Sequence, residues 1–333
     1  MKYLKVDEQT LSDLSIFGKM GKPSVYALFN KTRTQGGAAM LDELFRQPLA
    51  DETEINRRSG IYRFFSEQEL EFPIESEIIG TLDYYLRNDD VRTQIQIGRQ
   101  HIGQRFKDLV SADAEVNFVN DGVQAALRLF KKTREFLGKV KGIADQDQGI
   151  FERMDQLIHA NCFDPVRQFV QLNQEARLNS LQLRDLDKLI RFDEREMIQE
   201  LLQELYRLDV YIAVGKITRV RGFCFAQALP PGTSALNYRQ VYHPHVDGAI
   251  ANDLQLNSHQ NVLFLTGANM AGKSTLMKSI GIALYLAHMG FPVAAARFDF
   301  SVRDGIYTSI NLSDNLSMGA SHYYAEVLRV KEV

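Results

Sequence analysis

The feature that most constrains this chain is the segment G-A-N-M-A-G-K-S at residues 267–274. It fits the pattern G-x-x-x-x-G-K-[ST] at every fixed position. Glycine permits a positive φ and lets the main chain approach an anion closely, and successive N–H groups then form a cradle for phosphate. The pattern therefore predicts a strand before the loop, a helix after it and a nucleotide phosphate bound within it.

The sequence on both sides of the loop agrees with this prediction. The apolar run at residues 262–265 precedes it, as a buried parallel strand would, and residues 274–289 are predicted to be a helix. Further strands are predicted at residues 298–300 and 305–310. Alternation of strand, helix and strand indicates an α/β domain, in which Lys273 would reach the β- and γ-phosphates and the Ser274 hydroxyl would bind Mg²⁺.

The chain before about residue 219 is predicted to be mostly helical. Proline is scarce there, and long stretches are rich in residues that favour helices. Residues 113–141 are predicted to form a helix, residues 142–149 a turn and the residues from Ile150 a second helix, which together make a long hairpin. No sheet is expected between residues 75 and 211. One apolar stripe at helical spacing comprises Met197, Leu201, Leu205, Leu208 and Ile212.

The composition narrows the functional classes. Lys and Arg number 39 and Asp and Glu 42, so the net charge of −3 excludes a globally basic nucleic-acid coat protein and leaves room for a local basic patch. Two isolated cysteines form neither a disulfide framework nor a zinc site, which favours a reducing compartment. With no secretory signal and no apolar stretch of about 20 residues, we expect a cytoplasmic protein with no membrane partner.

The loop and its surroundings resemble the ATPases of the MutS family. T-G-A-N-M-A-G-K-S-T at residues 266–275 is similar to the family's T-G-P-N-M-G-G-K-S-T, with Ala268 in place of proline and Ala271 in place of glycine. The second replacement would matter if that position needs a positive φ. Residues 314–326 are similar to the family's D-D-L-x-x-G-x-S-T-F-x-x-E segment. Further likenesses lie at residues 32–41, 47–49, 243–244, 250–253 and 304–308.

The resemblance implies a fold and a domain division. It predicts a mostly α-helical core and lever domain over residues 1–215 and the first half of an α/β P-loop (ABC-like) ATPase domain over residues 216–333. The Walker A loop is present, but the apolar strand ending in Asp-Glu (Walker B) is not found before Val333. We therefore expect the sequence to be truncated or to continue in the natural protein, and these residues alone to bind nucleotide but hydrolyse it very slowly. The family's mismatch-reading Phe-x-Glu motif is also missing, so direct mismatch recognition is not expected.

The resemblance also assigns roles to residues. MutS-type ATPases bind ATP and Mg²⁺ between two subunits, so a homodimer is implied. Asn269 would lie close to the γ-phosphate, Ile250 beside the adenine, and Ser321 would act in trans on the partner subunit's ATP. Ala249 stands where the family often has an aromatic residue, so base stacking would be weaker or supplied elsewhere. The expected nucleotide site comprises Gly267, Ala268, Asn269, Met270, Ala271, Gly272, Lys273, Ser274, Thr275 and Ile250.

A second candidate site is a basic cluster next to the predicted hairpin turn. Its members are Arg128, Lys131, Lys132, Arg134, Lys139 and Lys141. Glu135 is the one acidic residue among them. In the MutS family the lever tips embrace DNA, so the cluster would contact the phosphates of double-stranded or branched DNA. A solvated helix face accounts for the same residues equally well.

Three functions remain open at this point. The first is a MutS-like protein that couples ATP-driven dimerisation to DNA binding in repair or recombination. The second is a nucleotide-gated dimerisation module that acts on a protein partner, such as a repair protein, without binding DNA. The third is an unrelated P-loop kinase, against which residues 314–326 and the helical first part of the chain argue.

Overall fold

The computed structural model describes residues 2–18, 23–90, 93, 106–141, 149–172, 178–310 and 331. Most of them are helical. The α-helices are α1 (Glu8–Asp13), α2 (Val25–Phe29), α3 (Gln35–Arg46), α4 (Glu52–Glu67), α5 (Ser76–Arg87), α6 (Phe106–Val140), α7 (Gly149–Ile158), α8 (Asp164–Leu172), α9 (Ser180–Asp187), α10 (Arg195–Arg221) and α11 (Lys273–His288). The strands are β1 (Lys5–Val6), β2 (Cys224–Phe225), β3 (Gln227–Leu229), β4 (Leu236–Val241), β5 (Asn252–Leu256), β6 (Pro292–Val293), β7 (Arg297–Ser301) and β8 (Gly305–Ile306).

The predicted helical hairpin is present in its main parts. α6 contains the predicted helix except for Lys141 and begins earlier, and α7 follows at Gly149 and packs against it. Residues 142–148 of the predicted turn lie outside the described residues. Where the structure describes the chain between residues 75 and 211, it contains no strand, as expected. No described helix has both the length and the apolar character that crossing a bilayer needs.

The chain divides into two compact units. The sheet unit combines residues 1–31, 39–70 and 210–333, and the helical unit combines residues 32–38 and 71–209. α10 runs through both, with the division after Asp209. The ranges 1–215 and 216–333 expected for the two family domains remain a prediction.

The helical unit is organised around the packed helices α5 and α6. Leu201, Leu205 and Leu208 of the predicted stripe on α10 are buried, so this stripe is core. A π-helical segment, Lys188–Asp193, connects α9 to α10 and carries Arg191, which is fully buried. Its guanidinium pairs with Asp187 at 2.8 Å, because a buried charge is tolerated only with a partner.

The sheet unit contains a four-stranded sheet in the order β3-β7-β4-β5. β3 and β7 are parallel, and the other neighbours are antiparallel. One face is apolar because side chains alternate along a strand: Tyr238, Phe298 and Phe300 are buried, and the Tyr238 and Phe298 rings stack at 5.8 Å. The strand predicted at residues 298–300 is confirmed within β7. The strand predicted at residues 305–310 is shorter than expected, because only Gly305 and Ile306 of β8 have a strand partner.

The N-terminal residues help to hold the C-terminal ones in place. β1 pairs in parallel with β8, far along the chain. At the end of α11, the amide of Leu49 donates to the carbonyl of His288 at 2.9 Å, and the Tyr285 hydroxyl donates to the carbonyl of Phe45. These bonds hold the C-terminal end of α11 against the end of α3 and the residues that follow it.

Candidate nucleotide-binding site

The glycine loop ends in a left-handed residue that begins α11. Gly272 is the N-cap, with φ 89° and ψ 9°, a conformation that glycine adopts without steric cost. It provides no side-chain cap for the first turn of the helix. The amides at the start of α11 are therefore available to an anion, which the helix dipole also favours at this end. The predicted helix after the loop is confirmed.

Lys273 is held across the loop by two main-chain carbonyls. Its Nζ donates to the carbonyl oxygens of Gly267 and Ala268, each at 2.7 Å. An ammonium has three donors, so one remains for a further acceptor. The positive charge therefore stays beside the N-terminus of α11. A phosphate bound there would be stabilised by both the ammonium group and the helix N-terminus.

The strained position of the loop is Met270. Its φ is 65°, a left-handed value that is uncommon for a residue other than glycine, and its side chain is fully exposed. Ala271 does not have a positive φ. The alanine that replaces a family glycine there is therefore compatible with the backbone of this loop.

A cavity of about 440 Å³ lies between the loop and residues 243–252. Its lining includes Ile250 on one side and Met270, Ala271, Gly272, Lys273 and Thr275 on the other. The structure thus brings Ile250 and these five loop residues together. Gly267, Ala268, Asn269 and Ser274 belong to the same loop but do not line this cavity.

His243 is a lining residue that was not among the expected site residues. Its Nδ1 accepts a hydrogen bond from the backbone amide of His245 at 3.3 Å, so the proton of the neutral ring lies on Nε2. Burial lowers the pKa of His243, and His245 and Lys278 lower it further, which keeps the ring neutral. The only sequence signal was its place in the His243-Pro244 pair that resembles the approach to the ATP site. Asn252, which also lines the cavity, belongs to the similar segment at residues 250–253, whereas the lining residues Leu276 and Ser279 carried no individual signal.

The prediction of a buried strand before the loop is wrong for this structure. Residues 261–268 are in no strand, and Val262 and Phe264 are 85% and 88% exposed. An apolar parallel strand becomes buried when it pairs with neighbouring strands and helices cover both faces of the sheet. In the part of the chain that the structure describes, no strand pairs with this run. Val262, Leu263 and Phe264 are therefore exposed to solvent, whereas Leu265 is half-buried.

Ser321, the residue expected to act in trans, lies outside the described residues, as does the whole segment 314–326. The basic cluster is described: five of its members lie on α6 and Lys141 directly follows it, and the members do not share one face. Arg128, Lys132 and Lys139 follow each other at intervals of four and seven and form one stripe with Glu135. Arg134, six residues after Arg128, projects about 120° away around the helix.

One cation of this stripe is neutralised within the helical unit. Lys132 Nζ lies 2.7 Å from Glu75 Oε1. This hydrogen bond is the main reason that the pKa of Glu75 falls below its ordinary value. Arg128 and Lys139 are exposed, and Lys131 and Arg134 are partly exposed.

Two family descriptions match the chain. Residues 9–215 match MutS domain III, and residues 263–333, which include the glycine loop, match MutS domain V. The chain is also similar to proteins named DNA mismatch repair protein MutS from three bacteria. The protein of Desulfovibrio desulfuricans is 30% identical over 147 residues, which are 42% of this chain and 16% of that protein.

The other two similarities extend over nearly the whole chain. The protein of Leuconostoc mesenteroides is 21% identical over 98% of this chain and 49% of its own length, and that of Dehalococcoides mccartyi is 23% identical over 99% and 49%. The chain thus spans about half the length of these relatives. Because the domain III description alone covers more than half of the residues, this chain belongs to the MutS family.

Proposed function

We propose that this chain is the part of a MutS-type protein that binds ATP with Mg²⁺ and couples nucleotide-driven dimerisation to DNA binding, without reading mismatches itself. The relatives are named for DNA mismatch repair, and the process served here would be DNA repair or recombination in the cytoplasm. In this proposal residues 1–215 form the helical core and lever domain, and residues 216–333 form part of the ATPase domain.

The observation that carries the nucleotide part is the position of Lys273. Its ammonium is fixed at the N-terminus of α11 by two carbonyls and retains one donor. A triphosphate would place its β- and γ-phosphates against this charge and the free amides, and its base and ribose in the cavity beside Ile250. The proposed nucleotide residues are those of the loop, including Gly267, Ala268 and Asn269.

Magnesium would neutralise the phosphates, with the Ser274 hydroxyl as a ligand. Among the described residues there is no group of three or more His, Cys, Asp and Glu side chains that could hold a metal. Because residues 1–333 contain no apolar run that ends in Asp-Glu, we propose that they bind ATP but turn it over very slowly, and that Ser321 reaches the ATP of a second copy.

Titration with a fluorescent ATP analogue tests the nucleotide part. Lys273→Ala should weaken binding by about 10–100-fold, because a charge-assisted bond to phosphate contributes roughly 1.5–3 kcal/mol. Lys31→Ala is the matched control, since Lys31 is exposed and far from the loop in sequence. Equal binding by both variants would contradict the proposal.

DNA binding is proposed for the exposed stripe of α6. Arg128→Glu with Lys139→Glu should weaken the binding of duplex or branched DNA and lower the salt slope by roughly one for each lost phosphate contact. Arg134→Glu with Lys141→Glu makes the same charge change away from that stripe and serves as the control. An equal loss from both pairs would argue against a defined contact face.

One observation favours the second candidate, a dimerisation module that acts on a protein partner. Lys132 is already paired with Glu75, and the six cations are not on one face, so the cluster is weaker than its sequence suggests. The discriminating result is an ATP-dependent dimer, seen by light scattering, that binds no DNA in any nucleotide state.

A further inference from the structure

The cavity beside the glycine loop extends along one face of α11, away from the phosphate end. Gly272, Leu276 and Ser279 all line it. They follow one another at intervals of four and three, so they lie on the same side of the helix. Ser279 comes six residues after Lys273, which corresponds to about 9 Å along the helix axis. This length is comparable with the separation of the β-phosphate and the base in a nucleotide, so the second turn of α11 borders the space for the base.

The walls of this part of the cavity are largely apolar. Leu276 lines it on the α11 side, and Val246, Ala249 and Ile250 line it on the other. Apolar walls suit a flat aromatic base, but a few placed polar groups are what orient a ligand and give specificity. Discrimination between bases therefore depends on the polar side chains that line the cavity here.

The first of these polar groups is the ring of His243, which is half-buried. Its Nδ1 accepts the His245 amide at 3.3 Å, so Nε2 carries the proton and is the nitrogen left to donate. In the part of the chain that the structure describes, Nε2 donates to no acceptor. The cavity thus contains a donor that a ligand atom with a lone pair would satisfy.

The turn that carries His243 is held on both sides of this residue. The Tyr242 amide before it donates to the Ala294 carbonyl at 3.1 Å. The His245 ring after it is hydrogen bonded to the main chain of Ser24, the buried N-cap of α2. The ring of His243 is therefore presented in a fixed position, and little conformational freedom is lost when a ligand binds to it.

The second polar group is the hydroxyl of Ser279, a buried residue of α11. This hydroxyl donates to the Thr275 carbonyl at 2.7 Å, as serine often does inside a helix. Because its one proton is used there, the oxygen can only accept a further hydrogen bond. The base end of the cavity thus offers one donor from the turn at residues 243–245 and one acceptor from α11.

We propose that His243 and Ser279 select adenine as the base of the bound nucleotide, with His243 Nε2 donating to a ring nitrogen and Ser279 Oγ accepting from the N6 amino group. Adenine presents an acceptor nitrogen next to an amino donor, whereas guanine has the acceptor O6 in place of that amino group. In guanine, two oxygens without a proton would face each other at Ser279. The inference rests on the proposed nucleotide-binding function and adds base specificity to it.

The test is competition against a fluorescent ATP analogue, which gives the affinity of the full chain for each unlabelled nucleotide. The competitors are ATP, GTP and two deaza analogues of ATP, in which carbon replaces N1 or N7 of the base. The unaltered chain should bind GTP and one of the two deaza analogues about 3–10-fold more weakly than ATP, the effect of one neutral hydrogen bond.

Two replacements of His243 separate its donor from its structural role. His243→Asn keeps an acceptor for the His245 amide, as in an Asx turn, but is too short to place a donor at the position of Nε2. It should bind ATP about 3–10-fold more weakly and should no longer distinguish ATP from that deaza analogue. His243→Gln, whose longer side chain carries a donor, should recover most of the affinity.

Two further variants complete the set. Ser279→Ala removes the oxygen that opposes O6, so it should reduce the preference for ATP over GTP. His259→Asn replaces an exposed histidine outside the lining of the cavity and should behave like the unaltered chain with all four nucleotides.

The outcomes separate this inference from the proposed nucleotide function. If the unaltered chain and Lys273→Ala bind ATP equally, the nucleotide function fails and this inference fails with it. If ATP binding depends on Lys273 but His243→Asn equals His259→Asn, only the role of His243 is refuted. Equal losses of ATP and GTP in His243→Asn, with both deaza analogues bound like ATP by the unaltered chain, would place the contact outside the base and also overturn the inference.

Discussion

The carboxylate of Asp209 accepts two hydrogen bonds from Thr34, one from its backbone amide and one from its hydroxyl, each at 2.8 Å. The Arg33 amide donates to the same carboxylate. The Thr34 hydroxyl in turn caps the start of α3 by accepting the Gly37 amide. A single buried side chain of α10 thus organises the beginning of α3 within the helical unit.

Replacement of Asp209 by asparagine should destabilise the protein by about 1–3 kcal/mol, because the amide group cannot accept from all of these donors and buried groups lose their partners. The urea dependence of unfolding measures this change. Asp185→Asn, at an exposed position, is the control and should stay within about 0.5 kcal/mol of the unaltered protein. Equal midpoints for the two variants would refute the structural role of Asp209.

The stability of the sheet unit should depend on the protonation of His288. Its Nδ1 lies 2.7 Å from the Leu49 carbonyl, and its Nε2 accepts the Arg303 amide, so the buried ring is neutral. Burial lowers its pKa to about 4. Because the folded pKa lies below the unfolded value of about 6.5, the contribution is complete above pH 6.5 and is lost as the pH falls toward 4.

The loss at pH 5 should be about 2 kcal/mol of unfolding free energy relative to pH 7.5. Thermal unfolding as a function of pH, compared between the unaltered chain and His288→Gln, isolates this residue from the carboxylates that also titrate. The difference in stability between the unaltered chain and His288→Gln should shrink as the pH decreases. His259→Gln, at an exposed position, should follow the unaltered chain throughout.

Glycine at position 270 and glycine at position 271 should have different effects on the stability of the protein. Met270→Gly removes a left-handed non-glycine residue and should leave the protein as stable as before or up to about 1 kcal/mol more stable. Ala271→Gly has no such strain to relieve and should cost about 0.4–1 kcal/mol through the entropy of the unfolded chain. Calorimetric unfolding gives the order of stability of the two variants. A more stable Ala271→Gly than Met270→Gly would rule out this loop conformation.

A methyl group on Gly36 should be strongly unfavourable. Its Cβ would lie 2.4 Å from the ring of Tyr206, which is buried and donates to Asp83 at 2.5 Å. Gly36→Ala should therefore destabilise the protein by about 1–3 kcal/mol. Gly60→Ala in α4 has open space around it and should stabilise by about 0.5–1 kcal/mol. Unfolding midpoints that move in the same direction for both would exclude this packing.

Local patterns predicted much of the fold. The helix after the glycine loop, the long helix α6 and the buried stripe of α10 follow from the spacing of apolar residues over a few turns, and the structure contains all three. The run at residues 262–265 was predicted wrongly by the same kind of reasoning. Its four apolar residues satisfy the pattern of a buried strand, but burial depends on partner strands and covering helices that the pattern does not contain.

The candidate site also has one part that the sequence predicts and another part that depends on the tertiary structure. The sequence by itself determined the loop at residues 267–274, since its glycines and lysine act through their own backbone and immediate neighbours. Only the tertiary structure decided that His243 and Ile250 share a cavity with Lys273, that β1 pairs with β8, and that Arg239 lies opposite Arg297. These pairings join segments that lie far apart in the chain. Their register results from the packing of the whole sheet unit, so the sequence of one segment does not reveal its partner.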